Sequence, residues 1–325
     1  MRIVVTGSSG HLGEALVRTL HDQDHDVVGI DLLPSPWTTV TGSIADRELV
    51  RAVLRGADAV LHAATLHKPH VGSHARRAFV EVNVTSTLHV LEAAVEAGVG
   101  AVVFTSSTTT FGRALVPADG LPAAWITEDV RPVPRNVYGV TKVAAEDLCE
   151  LVHRDHGLPV LVLRTSRFFP EGDDRDDVRS AFDDLNLKVN ELLYRRVDLA
   201  DVVDAHLRAL ARAPEIGFGR YIISATTPFE PGDLGELRTD AAAVVRRLVP
   251  DVDRVYDARG WRLLDGIERV YVNARARAEL GWTPRFDFAT ALARLEAGED
   301  PRSRLALAVG AKGYHARTTG PYTTR

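Results

Sequence analysis

The sequence predicts an α/β fold, in which a doubly wound parallel sheet is joined to a smaller, discontinuous α/β lobe. Strand and helix patterns alternate over the first half of the chain, which is typical of a parallel sheet covered by helices on both faces. A glycine-rich turn follows the first strand, and a tyrosine and a lysine lie four residues apart further along. With 325 residues and 45% hydrophobic content, the chain can bury the core of such a fold.

The first predicted strand, Arg2–Thr6, leads directly into three regularly spaced glycines. Gly7 permits a tight turn, Gly10 lets the backbone approach a pyrophosphate, and Gly13 lets the following helix pack against the strand. The apolar pattern after the turn has a helical period. We therefore expect the N–H groups at the start of this helix to bind the phosphates of a dinucleotide.

Asp31 ends the second predicted strand, 18 residues beyond Gly13. A carboxylate at this place can accept hydrogen bonds from the ribose of an adenosine. No lysine or arginine follows directly, so a 2′-phosphate would meet an uncompensated negative charge, and we expect NAD rather than NADP. The alternative role for Asp31 is that of a turn residue at a strand end.

The following segments continue the alternation of strands and helices. Asp46 caps a short predicted helix, and residues 57–64 form a buried strand. A long helix is predicted from about 75 to 97, because Gly98 is a natural C-cap. Ligands of open α/β sheets bind at the carboxyl ends of the strands. The next strand, 101–105, ends there in a cluster of hydroxyl side chains: Ser106, Ser107, Thr108, Thr109 and Thr110.

Tyr138 and Lys142 are the candidate catalytic pair. A spacing of four places both side chains on one face of a helix, where the lysine ammonium favours the tyrosinate. A free phenol titrates near pH ~10, so the tyrosine becomes a usable base only if its pKa is lowered. The pair alone is weak evidence, because tyrosine and lysine occur at this spacing in many amphipathic helices.

These motifs, in this order, resemble the extended short-chain dehydrogenases/reductases, and more narrowly their NAD-dependent sugar epimerase/dehydratase branch. The resemblance spans nearly the whole chain and implies a Rossmann-like sheet domain that binds NAD. It rests on the segments Thr6–Gly13, Asp31, His62-Ala63-Ala64, Asn83, Ser106-Ser107, Tyr138-x-x-x-Lys142, 197–203 and 280–284.

The resemblance implies a role for each candidate site residue. Ser107 holds the reacting oxygen of the substrate, Tyr138 is the acid/base, and Lys142 grips the nicotinamide ribose; Ser106 is the alternative if the strand register differs by one. The implied substrate contacts are His67, Lys68, Thr108, Arg167 and Arg196. The implied cofactor contacts are Gly7, Ser9, Gly10, His11, Leu12, Gly13, Asp31, Ser43, Ile44, Ala63, Ala64, Thr65, Asn83, Thr105, Tyr138, Lys142 and Thr165.

Four departures from the family pattern bear on the substrate. Ser43-Ile44 stands where an acid and an aliphatic residue usually flank adenine. Thr108 and Thr109 occupy the positions of an acid pair in dehydrating relatives, which disfavours a 4,6-dehydratase. Arg167 replaces a common asparagine, and the segment 164–197 is short for gripping a nucleotide sugar.

The segment 171–184 carries seven acidic side chains against two arginines. Most such runs are solvated surface. Our hypothesis is that this segment borders the substrate entrance and favours a neutral or cationic ligand over a nucleotide diphosphate, unless Arg167, Lys188, Arg195 and Arg196 turn inward.

The histidines of the segment 66–74 also invite two interpretations. His67, His70 and His74 have nitrogen ligands suited to zinc, but Pro69 and Gly72 indicate a loop, and no metal site is predicted. Contact of His67 or Lys68 with a substrate hydroxyl is the preferred interpretation.

The cysteine count and the net charge limit the expected partners and cellular location of the protein. A single cysteine, Cys149, allows no disulfide within the chain and fits a reducing cytoplasm. The net charge of −5 offers no general attraction for nucleic acid or an anionic membrane, and no apolar stretch is long enough to span one.

The predicted domains are 1–166 plus 197–226 for dinucleotide binding, and 167–196 plus 227–325 for a substrate lobe and C-terminal tail. The tail from Ser303 has no clear periodic pattern and is expected to be mobile or to dock on a partner subunit. The helices at about 75–97 and 138–156 resemble those that pair in family dimers, so we expect a homodimer.

Three functions remain open from the sequence. The leading one is an NAD-dependent sugar 4-epimerase, acting on a nucleotide sugar or a related molecule. The second is an NAD-dependent dehydrogenase or reductase of a sugar, polyol or cyclitol hydroxyl. The third is a non-catalytic NAD-binding regulatory protein, which the presence of both Tyr138 and Lys142 disfavours.

Overall fold

A computed structural model describes residues 1–173 and 175–312. Its main sheet has seven strands in the order β3-β2-β1-β4-β5-β7-β8, and the pairings β1–β2, β1–β4, β2–β3, β4–β5 and β5–β7 are parallel. The strands are β1 Arg2–Thr6, β2 Asp26–Asp31, β3 Val40–Thr41, β4 Ala59–His62, β5 Ala101–Ser107, β6 Ala124–Ile126, β7 Val160–Thr165, β8 Phe218–Ile223 and β9 Arg269–Tyr271. The predicted doubly wound, Rossmann-like fold is confirmed.

Fourteen α-helices lie within the described ranges: α1 His11–His21, α2 Arg47–Leu54, α3 Arg76–Val80, α4 Ser86–Ala97, α5 Val137–His156, α6 Asp176–Ala181, α7 Asp184–Leu192, α8 Leu199–Ile216, α9 Leu234–Thr239, α10 Ala241–Leu248, α11 Val252–Asp257, α12 Ala274–Leu280, α13 Phe288–Glu296 and α14 Arg304–Val309. Short 3₁₀ turns occur at Lys68–Gly72, Thr108–Phe111, Arg113–Leu115 and Pro231–Asp233. In this part of the chain, no helix is both long enough and apolar enough to cross a bilayer.

The chain forms two compact units. Unit 1 comprises Met1–Gly112, Pro134–Thr165 and Val202–Tyr221, and unit 2 comprises Arg113–Val133, Ser166–Asp201 and the residues from Ile222 onward. The predicted domain division stays a prediction. These units differ from it mainly at 113–133, which lies in unit 2 but falls within the predicted dinucleotide domain.

The core of unit 1 is built on fully buried strands. Aliphatic residues of β1, β4 and β5 have essentially no exposed surface, and α2, α4 and α5 pack against this layer. Continuous apolar strands are what a parallel sheet covered on both faces requires. The result is a rigid sheet whose strand ends carry polar side chains.

The glycine turn after β1 is sterically obligatory. Gly7 has φ +77°, a left-handed conformation that favours glycine. A Cβ on Gly13 would lie 1.9 Å from the carbonyl oxygen of Gly7, so any side chain there would push α1 away from the turn. Both glycines therefore have the structural roles that the sequence predicts.

The long helix predicted from about 75 to 97 is interrupted by one π-helical turn. The segments α3 and α4 flank Glu81–Thr85, which has π-helical hydrogen bonding. Such turns are frequent at functional sites. Here the turn carries Asn83, whose side chain is buried.

Unit 2 has its own apolar core and a small parallel sheet made of β6 and β9. The fully buried Trp282 donates its Nε1–H to the carbonyl of Asp201 at 3.0 Å. The expectation of an unpatterned tail from Ser303 is wrong for α14: Ser303 caps this helix, and its backbone N–H donates to Asp198 at 3.0 Å. Residues 313–325 of the tail lie outside the described residues.

Candidate active site

Two adjacent serines at the end of β5 point to different partners. Ser106 is buried and donates its hydroxyl to Glu146 at 2.5 Å. Ser107 is partly exposed; its hydroxyl donates to the hydroxyl of Thr109 at 3.0 Å and lies close enough to the phenol of Tyr138 to affect the pKa of that phenol. Because successive side chains of a strand alternate between faces, only one of the two serines can accompany the tyrosine. The structure places Ser107 there, as preferred from the sequence.

The helix α5 carries Tyr138 and Lys142 on one buried face. Asn136 caps the helix by accepting a hydrogen bond from the N–H of Gly139 at 3.0 Å. Only 6% of Tyr138 and 2% of Lys142 is exposed. The ammonium of Lys142 donates to the carbonyl oxygen of Thr105 at 2.8 Å, so α5 is tied to β5 beside Ser107.

Burial sets the protonation of both groups. It raises the pKa of Tyr138 to about 12, against the opposing influence of the nearby Ser107 hydroxyl. It lowers the pKa of Lys142 to about 7, against the opposing charge of Glu146. The spacing of the pair predicts that Lys142 lowers the pKa of Tyr138, but in the protein alone desolvation of the phenol dominates. At neutral pH Tyr138 is therefore protonated and poised to donate.

A buried ion pair lies below the tyrosine and lysine. Arg164 of β7 contacts Glu146 of α5 through both Nε and Nη2, the shortest distance being 2.7 Å. Both side chains are almost completely buried. Sequence reasoning missed Glu146, although it follows Lys142 by four residues and therefore shares its helix face.

The amide of Asn83 makes four hydrogen bonds to protein. Its oxygen accepts from the hydroxyl of Thr65 at 2.9 Å and from the N–H of Leu66 at 2.8 Å. Its nitrogen donates to the carbonyl of Leu66 and to the hydroxyl of Thr141, each at 3.0 Å. These bonds use the donors and acceptors of the amide. Asn83, predicted as a cofactor contact, here joins the loop after β4 to α5 next to Lys142.

A second polar chain passes through the buried His62. Its Nδ1 lies 2.6 Å from the hydroxyl of Thr6, and its Nε2 lies 3.1 Å from the hydroxyl of Thr87. The Thr6 oxygen accepts from the N–H groups of Ala63 and Ala64, so its own proton goes to Nδ1, and the ring carries its proton on Nε2. Burial, together with Lys142, lowers the pKa of His62 to about 3. The ring is therefore neutral and fully hydrogen-bonded.

The turn at Gly10 offers a cradle of the kind that a pyrophosphate requires. A Cβ on Gly10 would approach only the carbonyl oxygen of Gly7, at 3.2 Å, and no side chain caps α1. Asp31 accepts hydrogen bonds from the N–H groups of Ser9 and Leu33, at 3.0 and 2.9 Å. A carboxylate has about four lone-pair sites, so Asp31 retains acceptor capacity for a ribose. These residues fit a dinucleotide.

Several other residues predicted to contact the cofactor or substrate form hydrogen bonds within the protein. Thr105 is hydrogen-bonded to His206 at 2.9 Å, Thr165 donates to the carbonyl of Ser106, and Thr108 donates to the carbonyl of Thr165. The hydroxyl of Ser43 accepts from the N–H of Ala45. Leu12 and Ile44 are buried, and His11 lies at the start of α1. The side chains of these threonines therefore order the strand ends.

The loop after β4 is a 3₁₀ turn, where the sequence predicted an irregular loop. It begins after His67, whose ring centroid lies 6.4 Å from that of Tyr138, and Lys68 is exposed. Within the described part of the chain, no three or more histidine, cysteine, aspartate or glutamate side chains are arranged to hold a metal ion.

In unit 2, the predicted substrate contacts Arg167 and Arg196 pair with carboxylates. Arg167 contacts Asp173 at 2.5 Å and Glu191 at 3.1 Å, and Arg196 contacts Glu191 at 2.7 Å. Burial disfavours a charge on Glu191, but Arg195, Arg196 and Arg167 hold its pKa well below the ordinary value. Part of the acidic segment thus neutralises arginines, and Glu191 is a residue that sequence reasoning missed.

Comparison with known proteins connects this geometry to a family. The model of the NAD-dependent epimerase/dehydratase family matches residues 3–222. The chain is 27% identical to a 3-beta-hydroxysteroid dehydrogenase of Mycolicibacterium neoaurum, over 90% of this chain and 89% of that one. It is 30% identical to a UDP-glucose 4-epimerase of Azospirillum brasilense, but over only 50% of this chain and 48% of that one.

Solved structures agree on the fold. A short-chain dehydrogenase/reductase superfamily protein from Agrobacterium tumefaciens with bound NAD has a TM-score of 0.67 and 25% identity, covering 95% of this chain and 99% of that one. MoeE5 in complex with UDP-glucose and NAD has a TM-score of 0.63 and 24% identity, covering 91% of this chain and 98% of that one, a likeness of fold alone.

The buried neutral His62 predicts acid sensitivity. The unfolded chain binds a proton at this residue below pH ~6.5, whereas the folded protein does so only near the lowered pKa of about 3, so stability is lost on acidification between these values. The loss is at most about 1.4 kcal/mol per pH unit. We expect His62→Gln to flatten this part of the stability profile, measured by urea unfolding from neutral pH to about pH 4. The exposed His156→Gln is the control, and equal slopes in wild type and His62→Gln would contradict the assignment.

Proposed function

The chain belongs to the NAD-dependent epimerase/dehydratase family, and we propose that it transfers hydride reversibly at the carbon of a secondary alcohol, using Ser107, Tyr138 and Lys142. It is an NAD-dependent enzyme of the extended short-chain dehydrogenase/reductase type. The observation that carries the proposal is that the Ser107 hydroxyl lies near the phenol of Tyr138, with the Lys142 ammonium held on the end of β5.

The residues divide the work as follows. Tyr138 holds or donates the proton of the substrate oxygen, and Ser107 keeps that oxygen in line with the phenol. Lys142 is held in place by its hydrogen bond to the carbonyl of Thr105. In its protonated form, Lys142 carries a positive charge that favours the tyrosinate. NAD, when bound, accepts hydride from carbon or returns it. The turn at Gly7, Gly10 and Gly13 would hold its pyrophosphate, and Asp31 its ribose.

The first candidate within this chemistry is the sugar 4-epimerase. In this reaction the alcohol is oxidised to a ketone, and the ketone rotates within the site. Reduction on its other face then gives the epimer. The relative from Azospirillum brasilense that is named a UDP-glucose 4-epimerase supports this candidate. A UDP-sugar substrate requires cations for its diphosphate.

Two observations favour the second candidate, a net dehydrogenase or reductase. The relative that matches over 90% of the chain is named a 3-beta-hydroxysteroid dehydrogenase. In unit 2, Arg167, Arg195 and Arg196 are paired with Glu191 and Asp173, so these arginines retain little uncompensated positive charge for any diphosphate. A neutral sugar, polyol or cyclitol, or another alicyclic alcohol, needs no such charge.

A homodimer through α3–α4 and α5 is also proposed. Val80, Val140 and Leu151 on these helices are exposed apolar side chains, with 47%, 54% and 38% of their surface accessible. We expect sedimentation velocity to give the mass of two chains, and Val140→Asp to give one. A wild-type protein that sediments as a single chain would refute this. The cytoplasmic location remains a prediction.

Tyr138→Phe tests the catalytic assignment. It removes the proton donor but keeps the ring, so turnover should fall about 10²- to 10⁴-fold while NAD affinity stays nearly unchanged. The measurement pairs NAD binding calorimetry with a panel of sugars, polyols and alicyclic alcohols. NAD that survives dialysis together with epimerised product supports the first candidate, and NADH absorbance with freely exchanging NAD supports the second. A loss smaller than tenfold would remove Tyr138 from the mechanism.

Asp31→Ala tests the basis of the NAD preference. Without the carboxylate, the 2′-phosphate of NADP is no longer repelled, so the ratio of NADP to NAD dissociation constants should fall by about tenfold or more. Asp26→Ala, at the exposed start of the same strand, is the matched control. An unchanged ratio in Asp31→Ala would show that this residue is only a strand-end turn.

A further inference from the structure

A cavity lies inside unit 2, between the segment that follows β7, the helix α7 and the residues next to α14. We call it the unit 2 cavity. Its space is about 610 Å³, including the mouth that opens to solvent, and small-molecule sites usually have ~300–1,000 Å³. Most of its wall is apolar, and the larger apolar side chains there are Phe168, Phe169, Leu185, Leu192 and Phe286. The cavity can therefore hold a small organic molecule.

Hydrogen bonds hold the wall of the unit 2 cavity on two sides. Arg196 donates through Nη1 to the carbonyl of Phe169 at 3.0 Å, and the ring centroids of Phe168 and Phe169 lie 4.4 Å apart. On the other side, the backbone N–H of Ser303 donates to Asp198 at 3.0 Å and thereby holds the residues that lead into α14. The cavity is thus formed without a ligand, as most small-molecule sites are.

The charged side chains of this wall are compensated within unit 2. Three of them are cations, and each contacts a carboxylate, in the pairs Lys188–Asp184, Arg196–Glu191 and Arg302–Asp300. The fourth, Asp198, accepts from the N–H of Ala200 at 2.7 Å through one oxygen and from that of Ser303 through the other. An ionic ligand would bring a charge without a partner into a mainly apolar space, which is unfavourable. The charges therefore favour a neutral ligand.

Lys188 keeps one donor of its ammonium available to the cavity. Only 7% of this residue is exposed. Burial lowers the pKa of Lys188, and the hydrogen bond to Asp184 opposes this shift and favours the ammonium. An ammonium has three N–H donors, and Nζ donates to the carbonyl of Pro170 and to the carboxylate of Asp184. Among the residues that the structure describes, no acceptor binds the third N–H. Because a buried donor without a partner is destabilising, an acceptor oxygen on a ligand would be stabilised here.

We propose that the unit 2 cavity binds a small neutral alicyclic ketone, whose oxygen accepts the third N–H of Lys188. The ring of the ligand packs against the phenylalanine and leucine side chains of the wall, which removes apolar surface of both partners from water. A ketone suits the site better than an alcohol, because it brings no hydroxyl proton and both oxygens of Asp198 already accept backbone N–H groups. The site belongs to unit 2 and requires neither NAD nor the reaction proposed at Tyr138.

Methyl NMR locates the binding. The methyl groups of Leu185, Val189 and Leu192 line the unit 2 cavity, whereas those of Val244 lie elsewhere in the core of unit 2. We expect cyclohexanone, added to the full chain without cofactor, to shift the signals of the three lining residues saturably and to leave those of Val244 unchanged. If the lining signals do not move, or if all four residues respond alike, the proposal is wrong.

A pair of alanines on α14 tests the place of binding. Ala306 lines the cavity, and Ala308 is exposed on the same helix without lining it. The phenyl ring of Ala306→Phe takes up space that the ligand needs, so the dissociation constant of cyclohexanone should rise by about tenfold or more. Ala308→Phe is the matched control and should bind as wild type does. Equal affinity in the two variants would overturn the proposal.

Lys188→Met tests the hydrogen bond itself. Methionine keeps an unbranched side chain but has no donor. Methylenecyclohexane has the shape of cyclohexanone, with a CH₂ group in place of the oxygen. The preference for the ketone over this hydrocarbon should fall by about tenfold in Lys188→Met, because only the ketone loses a hydrogen bond, whereas general damage to the cavity weakens both ligands alike. An unchanged preference in this variant contradicts the proposal. Ala306→Phe leaves Lys188 in place, so it tests the site even if Lys188→Met does not fold.

Cyclohexanecarboxylate tests the class of ligand. This anion has the same ring, and it should bind about tenfold more weakly than cyclohexanone, because the cations of the wall are already paired. Equal or tighter binding of the carboxylate would make the cavity an anion site and would overturn the proposal. All of these measurements are made without NAD. Failure of the catalytic assignment at Tyr138 therefore leaves the ketone site standing, and the reverse also holds.

Discussion

The buried ion pair between Arg164 and Glu146 is the interaction on which the site depends. This ion pair joins β7 to α5. The carboxylate of Glu146 also accepts a hydrogen bond from the hydroxyl of Ser106 on β5, so three elements are joined at one carboxylate. Removing one partner of a buried pair typically costs about 3–5 kcal/mol, because the other charge is left uncompensated. With α5 fixed in this way, Tyr138 and Lys142 are positioned by the sheet itself. If α5 were shifted by one turn, Tyr138 and Lys142 would no longer lie beside the end of β5, and their spacing alone would not form a site.

The polar networks around His62 and Asn83 extend this positioning to the glycine turn and the loop after β4. A buried polar group without a partner costs about 1–3 kcal/mol, and here each donor and acceptor of the two side chains is used. Saturated networks of this kind favour one arrangement of the backbone over its neighbours. The carboxyl edge of the sheet is therefore prepared before any ligand binds, which is the condition for efficient hydride and proton transfer.

The two units differ in how their buried charged side chains are compensated. Unit 1 has a buried lysine beside a protonated phenol and several neutral histidines. Unit 2 gathers three arginines around Glu191 and Asp173, so its charges compensate one another internally. An acidic segment that looked like a repulsive border in the sequence is thus partly structural.

The sequence by itself determined the features that depend on spacing along the chain. The glycine turn, the buried strands, the carboxylate at the end of β2 and the pairing of Tyr138 with Lys142 on one helix face follow from periods of 2 and 3.6 residues and from the conformational freedom of glycine. Only the tertiary structure decided which partners these groups find. Ser106 meets a carboxylate 40 residues away, Asn83 enters a π-helical turn and binds Thr141, and Arg167 meets Glu191. Protonation was decided there as well, because desolvation depends on packing from all sides, and burial of the phenol raises the pKa of Tyr138.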